Sequence, residues 1–215
     1  VTPTLTVPGQ RARYTFTGTA GQWVNLGLTA VTISSSTVSL LKPDGTTLES
    51  ATINTSGGSV DPTTTLPTTG TYTIVVDPIG VATGSMTLTL TSPLTGTITL
   101  DGASVPISLT KAGRTARYTF NGTAGQWVSL GMTAVTINSG TITLLNPSGG
   151  PVTSTSILTS GGGLDAPNLP TTGTYTIVID PAGVNTGTIT LKLMSYLSGP
   201  LNLNGTATTT TITQV

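Results

Sequence analysis

Few side chains in this chain are suited to catalysis. Its 215 residues include no His and no Cys, which removes the usual general base, the thiol nucleophile and the commonest ligands of transition metals. A Ca²⁺ ion needs about six to eight oxygen ligands, usually with several carboxylates close together. The carboxylates are instead scattered singly, at Asp44, Glu49, Asp61, Asp77, Asp101, Asp165 and Asp180. We therefore predict no catalytic residue and no cofactor, with Ca²⁺ left open as an alternative.

Two tryptophans offer a candidate binding surface. Trp23 and Trp127 are the only tryptophans, and strand alternation places each on the face opposite its apolar neighbours. Arg13 and Arg117 are predicted to face outward beside them. An exposed Trp can stack on a sugar or anchor a partner protein, whereas a Trp covered by an Arg or by a neighbouring domain is structural. These four residues form the predicted interface or ligand platform.

The low charge of the chain excludes several partners. Lys plus Arg and Asp plus Glu number 7 each, and charged residues make up 7% of the chain, against about 25% in an average soluble domain. Binding to nucleic acid or to an anionic membrane needs a basic surface, so neither partner is predicted. No apolar run approaches the roughly 18 residues of a membrane span. Because 36% of residues are hydrophobic and mean hydropathy is +0.26, the chain is expected to fold.

The chain contains an internal repeat. The sequence of residues 13–24 recurs at 117–128, and that of residues 66–75 recurs at 169–178, with one residue lost between the two matches. A repeating unit of roughly 100 residues is the size of a whole domain. We therefore predict two tandem domains, 1–95 and 96–198.

The segment that joins the two repeats also recurs. Residues 94–102 are matched by 197–205, so the segment 199–215 corresponds to the opening of a further repeat, while the first domain lacks an equivalent of residues 96–104. This phase shift favours donation of the C-terminal segment to the next molecule as an added strand. The alternative is one window of a longer covalent array. The candidate assembly strand comprises Leu201, Leu203, Thr206, Thr208, Thr210, Ile212 and Val215.

Apolar residues alternate with Thr throughout, which is the pattern of half-buried strands. The residues predicted to point inward include Ala12, Tyr14, Phe16, Val24, Leu26, Leu28, Tyr72, Ile74, Val76, Met86, Leu88 and Leu90. Pro and Gly cluster in the turns between these runs, where Asp77 and Asp180 are expected to bond their own backbone, and Asp61 and Asp165 to cap loops in the same way. No window shows helical spacing. The predicted fold is all-β, with two tandem antiparallel jelly-roll-like β-sandwich domains of about eight strands each.

The order of these motifs resembles a known family. A strand ending in Arg-Tyr-Thr-Phe is followed by Thr-Ala-Gly-Gln-Trp-Val, by residues 40–48 and by Leu-Pro-Thr-Thr-Gly-Thr-Tyr-Thr-Ile-Val-Val. Both copies are similar in this order to the bacterial pre-peptidase C-terminal domain. The resemblance implies a jelly-roll-like sandwich, an extracellular or cell-surface location and a non-catalytic role; some relatives bind collagen or Ca²⁺.

Together these features predict a non-catalytic extracellular structural repeat protein. The first hypothesis is a fibre or stalk subunit that associates with itself head to tail, by donation of its C-terminal strand. The second is an adhesion module of a larger secreted protein that binds a carbohydrate or a matrix protein. Exposed tryptophans would favour the second hypothesis, and tryptophans buried at domain contacts the first.

Overall fold

The computed structural model describes residues 1–198, 205, 207 and 209–211. Across these residues the chain forms eighteen β-strands and no helix, so the all-β prediction is confirmed. Every pair of adjacent strands is antiparallel except one. Strands of this kind follow from the alternation of apolar residues with β-branched Thr, which suits a sheet with one buried face.

Nine strands build the first sandwich. They are β1 (Thr4–Leu5), β2 (Ala12–Gly18), β3 (Asn25–Thr29), β4 (Ser35–Leu41), β5 (Thr47–Asn54), β6 (Gly58–Val60), β7 (Gly70–Pro78), β8 (Gly84–Ser85) and β9 (Thr87–Thr91). One sheet has the order β2-β7-β4-β5 and the facing sheet the order β6-β3-β9, with the short pair β1-β8 beside it. Non-consecutive neighbours in both sheets are typical of jelly rolls and Greek keys.

The second sandwich repeats this plan with one difference. Its strands are β10 (Leu94–Thr97), β11 (Val105–Leu109), β12 (Ala116–Gly122), β13 (Val128–Thr133), β14 (Gly140–Leu145), β15 (Pro151–Ser156), β16 (Gly162–Asp165), β17 (Gly173–Pro181) and β18 (Gly187–Ser195). The sheet orders are β10-β12-β17-β14-β15 and β11-β18-β13-β16. Strand β10 pairs with β12 in parallel and has no counterpart beside β2 among the described residues of the first sandwich.

Each sandwich has its own hydrophobic core. Tyr72 and Tyr175 occupy equivalent places at the centre of the two cores, and both are fully buried. The hydroxyl group of Tyr72 donates to the carbonyl oxygen of Thr68 at 2.8 Å, and that of Tyr175 donates to Thr171 at 2.7 Å. The hydrogen bond of each phenol offsets the cost of removing its hydroxyl group from water, so the ring can be buried in an apolar core.

Two expectations about individual residues are wrong. Leu90 does not point into a closed core, because 37% of its surface is exposed. Asp77 and Asp180 do not bond their own backbone in turns, because they lie within β7 and β17. In the candidate assembly strand, Thr210 is exposed and outside any strand, and Leu201, Leu203, Thr206, Thr208, Ile212 and Val215 lie outside the described residues.

Candidate assembly site

A hydrophobic groove opens along the edge of the first sandwich, between β2 and β9. Its volume is about 220 Å³, and we call it the open groove. Its lining residues are Val1, Tyr14, Thr15, Phe16, Leu26, Ile74, Leu88 and Leu90. Because the alternating side chains of β2 and β9 face one another here with no further strand between them, apolar surface of the core is left in contact with solvent.

The equivalent place in the second sandwich is filled by the chain itself. Strand β10 runs parallel to β12, with the Leu94 amide donating to the Thr115 carbonyl oxygen and the Ile98 amide to the Thr119 carbonyl oxygen, both at 3.0 Å. Gly96 lies directly on the ring of Tyr118, where a Cβ atom would overlap the ring. After β10, Ile98 is buried in the second core, and Leu100 packs against it.

A turn at Asp101 closes this covering segment against β18. The Asp101 amide donates to the Leu193 carbonyl oxygen at 2.9 Å, and the Asp101 carboxylate accepts from the amide and the hydroxyl group of Ser195, each at 2.8 Å. The two hydrogen bonds from Ser195, that of its backbone amide first and that of its hydroxyl group second, lower the pKa of the Asp101 carboxyl group. We refer to residues 94–105 as the covering segment.

The covering segment changes the burial of equivalent side chains. Leu193 is 2% exposed, whereas its equivalent Leu90 is 37% exposed. Phe120 is 6% exposed and buried, whereas Phe16 is only half-buried. The two sandwiches therefore differ in whether this part of the core is covered, although the same residue types line it.

The candidate platform residues divide between two environments. Arg117 lies over the ring of Trp23, with its guanidinium carbon 3.9 Å from the ring centroid, so the Arg of the second sandwich covers the Trp of the first. Burial there lowers the pKa of Arg117. Trp127 is 50% exposed and contacts Tyr196, with the ring centroids 5.5 Å apart, while Arg13 is exposed. Sequence reasoning placed an Arg beside each Trp but did not identify the cross-sandwich pair.

Backbone contacts complete the junction between the sandwiches. Gly27 in β3 lies against the peptide of Ala112, whose carbonyl oxygen a Cβ at Gly27 would overlap. The Asn25 side-chain oxygen accepts from the amide and the hydroxyl group of Thr115, at 3.3 and 3.2 Å. The Arg114 side chain also donates to the Ser92 carbonyl oxygen at 2.9 Å. We call this set of contacts the intrachain junction.

The charge of Asp61 in the first sandwich acts on Asp180, which lies in a cleft at the intrachain junction. The cleft is about 410 Å³ and is lined by Ser59 of the first sandwich and by Asp180 of the second. Burial and the nearby charge of Asp61 raise the pKa of Asp180 to about 6. Burial also raises the pKa of Asp61, although hydrogen bonds from Ser59 and Asn25 act in the opposite direction. Neither Asp61 nor Asp165 caps a loop as expected, since each accepts from a side chain of β3 or β13.

Asp180→Asn is expected to stabilise the protein at pH 7 and to leave it unchanged at pH 4. The pKa of Asp180 is higher in the folded chain than in the unfolded chain, so its ionisation removes stability as pH rises from about 4 to 6. After allowance for solvent screening the gain at pH 7 should be about 1 kcal/mol. Thermal unfolding of both proteins between pH 4 and 7 measures this difference. The matched control, Asp77→Asn, should give no gain, because Asp77 accepts from Arg11 at 2.9 Å; parallel pH curves for Asp180→Asn and the parent would contradict the prediction.

The remaining surface offers no other cluster for chemistry in the part of the chain that the structure describes. No three acidic, His or Cys side chains meet at one point there. The same residues contain no helix able to cross a bilayer. Besides the cleft at the intrachain junction, the open groove and the exposed surface around Trp127 are candidate binding sites.

Solved structures that match parts of this chain include two from bacterial proteins and one from a biofilm-associated protein. The pre-peptidase C-terminal domain of a collagenase from Bacillus anthracis is 18% identical, with a TM-score of 0.37, and the match covers 48% of this chain and 97% of that domain. The periplasmic g-type lysozyme inhibitor PliG from Aeromonas hydrophila is 16% identical, with a TM-score of 0.35, over 47% of this chain and 99% of the inhibitor. The BSP domain of a biofilm-associated protein is 16% identical, with a TM-score of 0.26, over 86% of this chain and 30% of that chain.

No protein-family model matches this chain, and no curated protein matches it. The resemblance to the pre-peptidase C-terminal domain therefore stays a prediction from the sequence.

Proposed function

We propose that this chain is a non-catalytic, extracellular structural repeat protein whose copies assemble head to tail. Its units are the predicted domains 1–95 and 96–198, with β10 from Leu94 onward belonging to the second sandwich, and the donor segment 199–215. The sequence match of the donor segment begins at residue 197. The observation that carries the proposal is the open groove, because the second sandwich covers the same surface with a segment whose sequence recurs at residues 197–205. The extracellular setting is what the sequence resemblance to pre-peptidase C-terminal domains implies.

The covering segment supplies the register of the donated strand. Leu94 pairs with Ala116 in parallel, so Leu197 of one copy would lie beside Ala12 of the next. Leu201 and Leu203 would then take the places of Ile98 and Leu100, which are the residues that join the second core. Main-chain hydrogen bonds along β2 would supply affinity, and the apolar pockets would supply specificity.

Two further residues of the donor segment fit this register. Gly199 matches Gly96, the position that lies on the ring of Tyr118 and has no room for a Cβ atom. Pro200 matches Thr97, whose amide points to the open side of β10, away from β12. A proline at that place loses no ladder hydrogen bond and protects the new sheet edge from further pairing.

The donated part is the first half of the candidate segment. Residues from Thr208 onward match β11, and in the first sandwich that place is taken by the start of the chain, where the Leu88 amide donates to the Val1 carbonyl oxygen at 2.8 Å. Thr208, Thr210, Ile212 and Val215 would therefore flank or displace residues 1–5 and contribute less than Leu201 and Leu203.

Electron microscopy and sedimentation of three proteins test the proposal: the full chain, the chain ending at Tyr196, and the full chain with Gly199→Val. The full chain should form filaments, and both altered chains should remain monomers, since one lacks the donor and the other places a branched side chain against Tyr14. Monomers in all three samples, or filaments in all three, would overturn strand donation. Thermal unfolding of the three proteins checks that both sandwiches stay folded.

A binding module is the second candidate function, and the exposed Trp127 favours it. Trp127 and Tyr196 form a two-ring aromatic surface that is open to solvent, as in a platform for a sugar or a matrix protein. Binding of the full chain to a glycan array, lost in Trp127→Ala and kept in Trp23→Phe, would support this function. Absence of binding in the parent protein would exclude it for the glycans tested.

A further inference from the structure

The intrachain junction joins a surface of the first sandwich to the start of the second, around residues 112–117, which we call the head of that sandwich. Both surfaces recur in the repeat. On the first sandwich the contacts are made by Trp23 and Gly27, with Asp61 close enough to act on Asp180; these three residues recur as Trp127, Gly131 and Asp165, whereas Asn25 is replaced by Ser129. The second sandwich thus carries, at its far end, the residue types that bind a sandwich head at the intrachain junction. We call these three residues the docking end.

The head of the second sandwich recurs in the same way. Gly113 and Arg117, which contact Gly27 and Trp23, are matched by Gly9 and Arg13 at the start of the first sandwich. The glycines share a left-handed backbone, with φ of 69° at Gly113 and 78° at Gly9. Glycine adopts this conformation without strain. The loop at Gly9 therefore shares the backbone conformation of the loop at Gly113, which approaches Gly27 closely.

Among the described residues, no backbone lies on Gly131 as the Ala112 peptide lies on Gly27. Gly131 lies inside β13, where glycine weakens a strand and often marks the close approach of another backbone. At Gly27 that backbone is the Ala112 peptide, but the nearest atoms to a Cβ at Gly131 are the flexible end of Met194 at 3.3 Å and the Lys192 carbonyl oxygen at 3.8 Å. Nothing in the described chain lies within 4 Å of a Cβ at Gly9. In the described chain Gly131 therefore leaves open the space that the Ala112 peptide fills at Gly27, and the loop at Gly9 is uncovered.

The charges of the repeated surfaces are complementary between copies. Inside the chain, the charge of Asp61 acts on Asp180, and Thr115 of the second sandwich donates to Asn25, which in turn donates to Asp61. At the head of the first sandwich the matching residues are Asp77 and Arg11, which form an ion pair at 2.9 Å. If the geometry repeats, Arg11 of one copy lies near Asp165 of another. The contact between copies then has a cation, Arg11, at the place that Thr115 takes in the intrachain junction.

We propose that a second copy of this chain docks its head, through Gly9, Arg11 and Arg13, on the docking end, with the geometry of the intrachain junction. In this contact Arg13 covers Trp127 as Arg117 covers Trp23, and the loop at Gly9 lies on Gly131. This inference rests on the proposed head-to-tail assembly and adds to it a second contact, made by folded surfaces and separate from the donated strand.

A pair of chains that cannot polymerise tests the inference. The donor chain is full length with Leu90→Arg, which places a charge in its own open groove; the acceptor chain ends at Tyr196. Mixing them should give a one-to-one complex whose dissociation constant is measured by titration calorimetry. Trp127→Ala in the donor or Arg13→Ala in the acceptor should weaken binding by about 3- to 30-fold, the range of a partly buried cation–π contact. Gly131→Val in the donor should weaken it by about 100-fold or more, because its side chain would meet the incoming backbone.

Coupling and controls separate this contact from strand donation. Trp127→Ala and Arg13→Ala combined should cost less than the product of their separate effects, because they remove the same contact. Lys42→Ala in the acceptor removes a cation in a distant turn and should leave binding unchanged. If Trp127→Ala, Arg13→Ala and Gly131→Val each leave the affinity of the complex unchanged, this inference is overturned and strand donation stands. If the parent pair forms no complex, strand donation and this inference both fail.

Discussion

Leu193→Arg is expected to unfold the second sandwich, whereas Leu90→Arg at the equivalent position should leave the first sandwich folded. Leu193 is 2% exposed beneath the covering segment, so an Arg there would bury an unpaired charge. The loss in the free energy of unfolding should exceed about 4 kcal/mol, as is typical when an unpaired charge is buried in a core. Leu90 is 37% exposed on the open groove, and a long Arg side chain at that place can reach water. Its cost should stay below about 1 kcal/mol.

Calorimetric unfolding of the two variants and the parent measures this difference. Leu193→Arg should lose one thermal transition and Leu90→Arg should keep both. Leu90→Arg should also abolish filaments, because the donated strand would have to bury the new charge. Equal destabilisation by the two substitutions would show that the groove is closed in solution. Filaments of Leu90→Arg that match those of the parent would place the assembly contact elsewhere.

Gly27→Val is expected to separate the two sandwiches without unfolding either of them. A Cβ at Gly27 overlaps the carbonyl oxygen of Ala112, and both partners are backbone or buried, so neither can move aside alone. Relief of the overlap requires the sandwiches to part, which also removes the Arg117 contact with Trp23 and the Asn25 bonds to Thr115. The loss of these coupled contacts should amount to about 2–4 kcal/mol.

Small-angle scattering and tryptophan fluorescence report this separation. In the chain ending at Tyr196, which is expected to remain monomeric, Gly27→Val should raise the radius of gyration. The emission of Trp23, isolated by Trp127→Phe, should shift to longer wavelength. Gly131→Val is the matched control, because only the flexible end of Met194 and one carbonyl oxygen lie near that position. It should leave scattering and stability unchanged in the monomer. An unchanged radius of gyration in Gly27→Val would mean that the intrachain junction does not hold the sandwiches together.

The alternation of apolar and polar residues in the sequence predicts the strands and most of the residues of the core. Period-two patterns identify which side chains share a face, and Val24, Leu26 and Leu28 are buried as that pattern predicts. The same pattern failed at Leu90, because alternation specifies the inward face but not whether another segment covers it. The coverage depends on a strand that lies next to β12 in space and about twenty positions earlier in sequence.

The repeat also matched residues 94–102 to residues 197–205 from the sequence alone. Only the tertiary structure showed that β10 pairs in parallel with β12 and that the same edge of β2 is open. Only the tertiary structure, likewise, brought Arg117 onto Trp23 and Asp61 near Asp180. The pairs lie about a hundred residues apart, and local propensity carries no information about such contacts. They arise because two folded surfaces fit, and that fit rests on the glycine at 27 as much as on the charged side chains.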